Sequence, residues 1–173
     1  MMRIIKYGNP ILRMKAKPVT EFDEELRQTI DDMIETMQVG EGIGLAAPQV
    51  AISKAFFVID NSLIEEGGQP EAIINPEILS SNGESIIEEG CLSVPEIRED
   101  VKRPDFIKVK YQDVDGKMHE EEFGGVRARV FQHELDHLKG IFFVDRLGAM
   151  KRKLLQKQLR QIAEEEMAER VEV

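Results

Sequence analysis

Two histidines stand four residues apart in the segment FQHELDHLKG, and a glutamate follows the first of them. Side chains at positions i and i+4 lie on one face of an α-helix, so His133 and His137 can direct ring nitrogens at one metal ion. Glu134 lies about 100° around that helix, yet its long side chain can reach a water molecule beside the metal. The pattern H-E-x-x-H is typical of metal-dependent hydrolases in which the glutamate is a general base. Two surface histidines on an amphipathic helix are the alternative interpretation.

A catalytic site of this type needs a third protein ligand and one open position. After Glu134, the only carboxylates before the last predicted helix are Asp136, which belongs to the ligand helix itself, and Asp145. The other candidate is Cys91, which follows a glycine at the end of a predicted strand. A lone cysteine is more often a small buried apolar residue than a ligand. Loops at strand ends, however, are where rigid frames place their ligands, and one cysteine with two histidines is the simplest complete set in the chain.

The elements that must position these residues follow from hydrophobic periodicity and turn signals. Helices are predicted at 20–39, with Thr20 as the N-cap and Gly40 as the end, at about 125–139, and at about 149–170. Strands are predicted at 55–60, 72–76, 85–89, 106–112 and 117–123, the last two forming a hairpin, and residues 42–49 are predicted to be a glycine-rich loop. This order predicts an α+β fold: a single domain with antiparallel strands packed around a central metal-ligand helix, plus a C-terminal helix. We expect that domain to span residues 1–173, with 149–173 as the C-terminal helix.

Composition narrows the class of protein. The 173 residues are 42% hydrophobic and carry a formal net charge of -10. This negative charge argues against a general nucleic-acid binder, so we expect no DNA partner. The single cysteine rules out an intrachain disulfide. No stretch approaches the roughly 20 apolar residues that span a bilayer, and the N-terminus lacks the features of a secretory signal. We therefore expect a cytoplasmic protein without a membrane contact.

Three motifs, in this order, give the chain a family resemblance. They are GIGLAAPQ at residues 42–49, EGCLS at 89–93 and QHELDHL at 132–138. On these residues the chain resembles the peptide deformylase family over nearly its whole length. The resemblance implies removal of the N-formyl group from the initiator methionine of newly made polypeptides, which would be its substrates and partners. It also implies one divalent metal ion, most often Fe(II), held by Cys91, His133 and His137; preparations can contain Zn(II), Ni(II) or Co(II) instead.

The resemblance assigns roles to individual residues. Glu134 accepts the proton of the attacking water and later passes it to the departing amine. The tetrahedral intermediate carries a negative oxygen, and its hydrogen-bond donors would be the side-chain amide of Gln49 and the backbone N–H of Leu92. A glycine such as Gly44 lets the loop backbone lie close to a peptide substrate.

A formyl-methionine substrate also needs a pocket and support for the metal ligands. We expect the substrate-binding residues to be Ile43, Gly44, Arg98, Val126 and Val130. Ordinary core packing, or solvation in the case of Arg98, is the alternative for each side chain. Arg103 and Asp136 are predicted to form a buried pair that supports the ligand helix and orients His137. The third histidine, His119, is expected to be exposed.

Other functions share part of this sequence pattern. The segment GIGLAA fits a dinucleotide-binding fingerprint, but that fingerprint follows a strand and opens a helix, whereas the preceding segment is predicted to be helical. A zinc metalloprotease of the HExxH type shares the helix motif, without support from Cys91 and Gln49. A zinc-stabilised domain without activity would need a fourth ligand, and the chain has no second cysteine.

The last predicted helix begins with a basic cluster, MKRKLLQKQLR, and ends with glutamates. Cations at the start of a helix oppose the macrodipole, at a cost of only about 0.3–1 kcal/mol each. Because formylated polypeptides emerge from ribosomes, we hypothesise that this cluster contacts the ribosome. A solvated helix with i,i+4 ion pairs is the alternative.

Overall fold

The computed structural model describes residues 1–172. It contains three α-helices within that range: α1 (Glu24–Val39), α2 (Gly125–Leu138) and α3 (Ala149–Glu172). The strands are β1 (Gly44–Ala46), β2 (Phe56–Asp60), β3 (Pro70–Asn82), β4 (Ser85–Cys91), β5 (Val94–Arg103), β6 (Phe106–Gln112) and β7 (Met118–Gly124). The last residue of the expected domain, Val173, lies outside the described residues.

An antiparallel sheet separates α1 from α2. Its strand order is β1-β2-β3-β6-β7, and β4 and β5 form a separate two-stranded antiparallel sheet. Alternate residues of one strand point to opposite faces, and β2 shows the consequence. Phe57 and Ile59 pack in the same core cluster as Phe131 of α2, whereas Phe56 and Val58 pack in the cluster of α1. The structure thus confirms the predicted α+β class, with a buried helix that carries the two histidines.

Backbone constraints determine where helix α2 begins and ends. The helix begins directly after the last residue of β7 and ends before Gly140, which adopts a left-handed φ of 76°. A Cβ atom at Gly140 would lie 2.5 Å from the carbonyl oxygen of Arg13, so only glycine fits there. Every residue of α2 from Ala128 to Leu138 is buried, because its apolar face packs on the sheet and its polar face packs under β4 and β5.

Two predictions of local structure were wrong, and one strand was not predicted. Helix α1 begins at Glu24, not at Thr20, because the Asp23 carboxylate accepts the hydrogen bond from Leu26 N–H at 3.0 Å and is the N-cap. Residues 42–49 are not a plain loop, since they contain β1 and a short 3-10 helix. Strand β5 was missed altogether: it carries charged residues at most exposed positions and buries Arg103 at its end, which hides the apolar alternation.

Helix α3 packs firmly on the body of the protein. Leu155, Leu159 and Ile162 are buried in a cluster that includes Ile5. The fully buried carboxylate of Glu166 accepts hydrogen bonds from the Arg3 guanidinium at 2.5 Å and from a backbone N–H of the N-terminal segment at 2.7 Å. The predicted C-terminal helix is therefore present and tied to the N-terminus. None of the helices within residues 1–172 combines the length and apolar character that crossing a membrane requires.

Candidate metal centre

Cys91 lies at the carboxyl end of β4, where the chain turns tightly into β5. The Cα pairing of the two strands slips at this point, from Gly90 opposite Arg98 to Cys91 opposite Val94. Only two residues separate Cys91 from Val94, and the turn is therefore held on both sides by strand pairing. This places the thiol at a fixed strand end, as the sequence predicted.

The structure brings this thiol to the two histidines of α2. The Sγ of Cys91 lies 3.3 Å from Nε2 of His137, and the ligand atoms of Cys91, His133 and His137 all lie within 4.8 Å of one another. Ligand atoms of a tetrahedral site with one sulfur and two nitrogens are separated by about 3.3–3.7 Å. The separation of Cys91 Sγ and His137 Nε2 matches this spacing, and all three donor atoms are close enough for one thiolate and two imidazoles to share a single metal ion with an open position.

A buried carboxylate orients one of the imidazoles. Glu89 lies 2.8 Å from Nδ1 of His133 through its Oε1, and it accepts hydrogen bonds from Arg103 at 2.6 and 2.9 Å and from Arg129 at 2.8 Å. With its Nδ1–H donated to Glu89, His133 turns its other ring nitrogen, Nε2, toward the thiol of Cys91. Burial alone would raise the pKa of Glu89, but the hydrogen bonds from His133 and Arg103 outweigh it and hold that pKa well below its usual range.

The predicted pair of Arg103 and Asp136 is present and buried. Arg103 Nη1 donates to Asp136 Oδ2 at 2.8 Å, and Arg146 donates to the other oxygen of the same carboxylate at 2.7 Å. Asp136 does not orient His137 through a hydrogen bond, since the buried Nδ1 of His137 has no hydrogen-bond partner among the described residues. Asp136 instead reaches the site through Arg103 and Glu89, on the side of His133.

Burial also shifts the titration of His137 and Glu134. It lowers the pKa of His137 well below its ordinary value, so this imidazole is neutral, as a metal ligand must be. The carboxylate of Glu134 is buried and its Oε1 has no hydrogen-bond partner among residues 1–172. Burial raises the pKa of Glu134 to about 7, with the charge of His133 opposing the rise. A carboxyl group with a pKa near neutrality is suited to take up and release a proton.

The lack of a side chain at Gly44 leaves room for the carboxylate of Glu134. A Cβ atom at Gly44 would lie 2.8 Å from Oε2 of Glu134 and 2.9 Å from Val130. A side chain at this position would therefore displace Glu134. A glycine at position 44 is therefore needed to leave space for Glu134, in addition to letting a substrate approach the backbone.

Gln49 lies on the thiol side of the centre. Its side chain is buried, and Nε2 lies 3.5 Å from the Sγ of Cys91. The Cδ1 atom of Leu92 packs closely against the backbone of Gly42. This side-chain packing holds Leu92 at the turn between the thiol and the glycine-rich segment.

An open cleft of about 660 Å³ leads to these residues. Its wall contains all five predicted substrate-binding residues, which are Ile43, Gly44, Arg98, Val126 and Val130. The guanidinium of Arg98 pairs with Glu88 at 2.8 Å at the exposed rim. His119 lies elsewhere: it is half-buried, and its Nε2 lies 2.7 Å from a carboxylate oxygen of Asp113, so the expectation of an exposed ring was wrong.

Glu89, Arg129 and Ser93 contribute to the site and were not singled out from the sequence. A signal for Glu89 was available: residues i and i+2 of a strand share a face, so Glu89 had to point the same way as Cys91. Ser93 lies in the same EGCLS motif and is fully buried. Arg129 precedes His133 by one helical turn, which places both side chains on one face of α2.

Comparison with known proteins agrees with this geometry. A family model described as "Polypeptide deformylase" matches residues 1–153, which include all three motifs. The peptide deformylase of Thermotoga neapolitana is 54% identical over 164 residues, covering 94% of this chain and 97% of that protein. The crystal structure of peptide deformylase from Thermotoga maritima is 54% identical with a TM-score of 0.81, covering 86% of this chain and 98% of that one. That of peptide deformylase from Thermus thermophilus is 39% identical with a TM-score of 0.88, covering 96% and 99%.

The role of Glu89 can be tested with its neighbour as a control. Glu89→Gln should weaken metal affinity about 10–100-fold, because His133 loses the carboxylate that fixes its ring. Glu88→Gln makes the same chemical change one residue away, on the exposed face of β4, and should leave the affinity within about twofold. Competition with a chelator, measured on zinc-loaded protein, gives both values. Equal affinities in the two variants would contradict the assignment.

Proposed function

The chain belongs to the polypeptide deformylase family, and from this premise we propose that Cys91, His133 and His137 hold its single metal ion. The protein is a hydrolase that removes the N-formyl group from the N-terminal methionine of newly made polypeptides and releases formate. The observation that carries the residue assignment is the meeting of three metal-type donor atoms with the buried carboxylate of Glu134 at the end of one cleft. The metalloprotease alternative has no support among the related proteins.

Fe(II) is the working metal in this proposal, and Zn(II), Ni(II) or Co(II) can replace it in preparations. A thiolate with two imidazoles suits both iron(II) and zinc. Zinc stands higher in the general affinity order, so the recovered metal need not be the working one. When bound, the metal ion acts as a Lewis acid that polarises the formyl group and lowers the pKa of water toward neutrality.

Glu134 moves the proton of the reaction. Its carboxylate accepts a proton from the water whose oxygen forms the new bond to the formyl carbon. The same carboxyl group then gives that proton to the amide nitrogen as the C–N bond breaks. Formate and a free methionine amine are the products, so one water molecule is consumed and Glu134 returns to its starting state. Burial with a pKa of about 7 supports both halves of this transfer.

Gln49 and Leu92 stabilise the oxygen on which negative charge develops. The side-chain amide of Gln49 supplies one N–H, and the backbone of Leu92 supplies another. Their positions support this role, because Gln49 Nε2 lies 3.5 Å from Cys91 Sγ and Leu92 follows the same cysteine in the chain. Donors held in place before the reaction need no reorganisation as the charge appears.

The cleft suits an extended peptide that begins with a small acyl group. Strand β1 lies at one edge of the five-stranded sheet and contributes Gly44 to the cleft wall, so an extended substrate can pair with its free edge. Ile43, Val126 and Val130 provide apolar surface for the methionine side chain, and Arg98 lies at the entrance. We place Arg103 and Asp136 behind the ligands as supports, since both are buried and neither lines the cleft.

Removing the proton carrier tests this proposal. Glu134→Gln should lower formate release from a formyl-Met tripeptide by about 10²–10⁴-fold with metal content unchanged, because the amide cannot accept the proton. Acetylated and unformylated versions of the peptide serve as substrate controls and should release neither acetate nor internal fragments. Formate release that survives the substitution would remove Glu134 from the mechanism. Internal cleavage of the unformylated peptide would indicate a protease.

The sensitivity of the enzyme to oxygen provides a separate test of the identity of the metal. Protein loaded with iron(II) under nitrogen should lose activity in air, and the peptide containing Cys91 should gain oxygen atoms by mass spectrometry, because iron and oxygen meet beside a thiolate. Nickel-loaded protein should keep its activity over the same time. Equal losses with both metals, or an unmodified Cys91 after inactivation, would contradict an iron–thiolate centre.

In this proposal the protein acts in the cytoplasm. Its helix α3 contacts the ribosome there. Among the described residues, four cations of the basic cluster have no carboxylate partner, and they are Arg152, Lys153, Lys157 and Arg160. The fifth, Lys151, pairs with Glu99 at 3.0 Å. Three of the unpaired cations border an open cleft of about 470 Å³ beside Tyr7. This local positive charge, on a chain with a net charge of -10, supports an anionic partner.

Charge removal in two places tests the contact. Changing Lys151, Arg152 and Lys153 to glutamine should abolish co-sedimentation with ribosomes at low salt, since these cations attract phosphate groups. The control variant removes three exposed positive charges elsewhere, at Lys15, Lys17 and Lys54, and should still co-sediment. Co-sedimentation that persists in the first variant would overturn the proposal.

A further inference from the structure

The side-chain amide of Gln49 is held at both of its ends. Its Oε1 accepts a hydrogen bond from the backbone N–H of Ala46 at 2.9 Å, and its Nε2 lies 3.0 Å from the Oγ of Ser93. A backbone N–H can only donate, so the oxygen of the amide must face Ala46. The nitrogen must then face Ser93 and the thiol of Cys91.

Ser93 enforces the same orientation independently. Its hydroxyl donates to the carbonyl oxygen of Ile5 at 2.7 Å, and the residue is fully buried. A hydroxyl has one proton. Because that proton is used at Ile5, the oxygen of Ser93 can only accept from Gln49. One N–H of the amide is thereby fixed on Ser93, and the other faces the cleft side, where it points at the Sγ of Cys91 at 3.5 Å.

The N-terminal strap, residues 5–7, fastens both partners from the opposite side. The backbone N–H of Ile5 donates to the carbonyl oxygen of Gln49 at 2.8 Å, and the N–H of Tyr7 donates to the carbonyl oxygen of Ser93 at 2.9 Å. Gln49 and Ser93 lie 44 residues apart in the chain. The N-terminal strap therefore adds backbone hydrogen bonds to both residues of the Gln49–Ser93 pair and fixes the two segments relative to each other.

We propose that Ser93, held by the N-terminal strap, is the positioning residue that sets the orientation of the Gln49 amide for the hydrolysis. Ser93 does not line the cleft, so it acts through Gln49 rather than on the substrate. This rests on the proposed role of Gln49 as a donor to the developing negative charge. A donor stabilises that charge best when its direction is fixed beforehand, and a hydroxyl that can only accept provides this fixation.

The kinetic test is a double-mutant cycle between the two residues. Gln49→Ala should lower kcat about 10²–10³-fold, and Ser93→Ala should lower kcat about 10-fold with KM nearly unchanged. Ser93→Ala placed in the Gln49→Ala background should cause no further loss, because the group it positions is gone. A serine with only a structural role would instead give losses that multiply. Ser53→Ala is the matched control: its buried hydroxyl has no partner among the described residues, and kcat should not change.

A second readout reports the orientation without any turnover. The two side-chain N–H signals of Gln49, identified by their loss in Gln49→Ala, should be distinct and protected from exchange in the metal-loaded protein. Ser93→Ala should shift them and speed their exchange, and Ser93→Thr, which keeps the hydroxyl, should restore both the signals and kcat. If Ser93→Ala does not fold, Ser93→Thr still tests the positioning role. We expect this variant to have a normal kcat and normal Gln49 signals. Altered Gln49 signals with a normal kcat would overturn the proposal.

The outcomes separate this inference from the function on which it rests. An unchanged kcat in Gln49→Ala would remove Gln49, and with it the purpose of Ser93, from the mechanism. A large loss in Gln49→Ala together with unchanged kcat and unchanged amide signals in Ser93→Ala would overturn the positioning role alone. Multiplying losses in the double variant would do the same.

Discussion

The structure depends on one buried carboxylate, Glu89, which is shared between two arginines and a histidine. Its charge lies out of contact with solvent and is acceptable only because Arg103, Arg129 and His133 surround it. These partners come from β5 and α2, while Glu89 itself belongs to β4. The ion pairs therefore fasten the two-stranded sheet onto the ligand helix. Removing one partner of such a pair leaves an uncompensated buried charge, at a cost of about 3–5 kcal/mol.

This constraint fixes the relation between the thiol and the imidazoles. Cys91 follows Glu89 by two residues on the same face of β4, so the contact of Glu89 with α2 also carries the thiol to His133 and His137. The two histidines are one helical turn apart and share the face of α2 that turns away from the sheet. A site assembled from a strand end and a buried helix is rigid, which suits a metal ion whose ligands must keep their directions. Glu134, the proposed proton carrier, follows His133 directly in α2 and therefore lies beside the proposed ligands without a separate anchoring element.

Local patterns explain why much of this site could be predicted from the sequence. The i and i+4 spacing of His133 and His137 is a property of one helix, and the strand end at Cys91 is visible in the turn that follows. Glu89 is different, because its partner Arg129 lies 40 residues away and meets it only once the sheet has packed on α2. Strand β5 was hidden for a related reason: it buries an arginine, Arg103, which a search for apolar alternation takes as a solvent-facing residue. The link from Ser93 to Ile5 spans 88 residues and has no local signal at all.

Anomalous X-ray scattering at the iron edge, from crystals of anaerobically prepared protein, tests the central claim most directly. We expect a single peak within bonding distance of Cys91 Sγ and of Nε2 of both His133 and His137, with Glu89 hydrogen-bonded to Nδ1 of His133. A peak elsewhere, or a peak bonded to Nδ1 of His133 or to Glu89 itself, would contradict it. In that case Glu89 would either be a metal ligand itself or have no part in the metal site, and it would not orient His133 for metal binding.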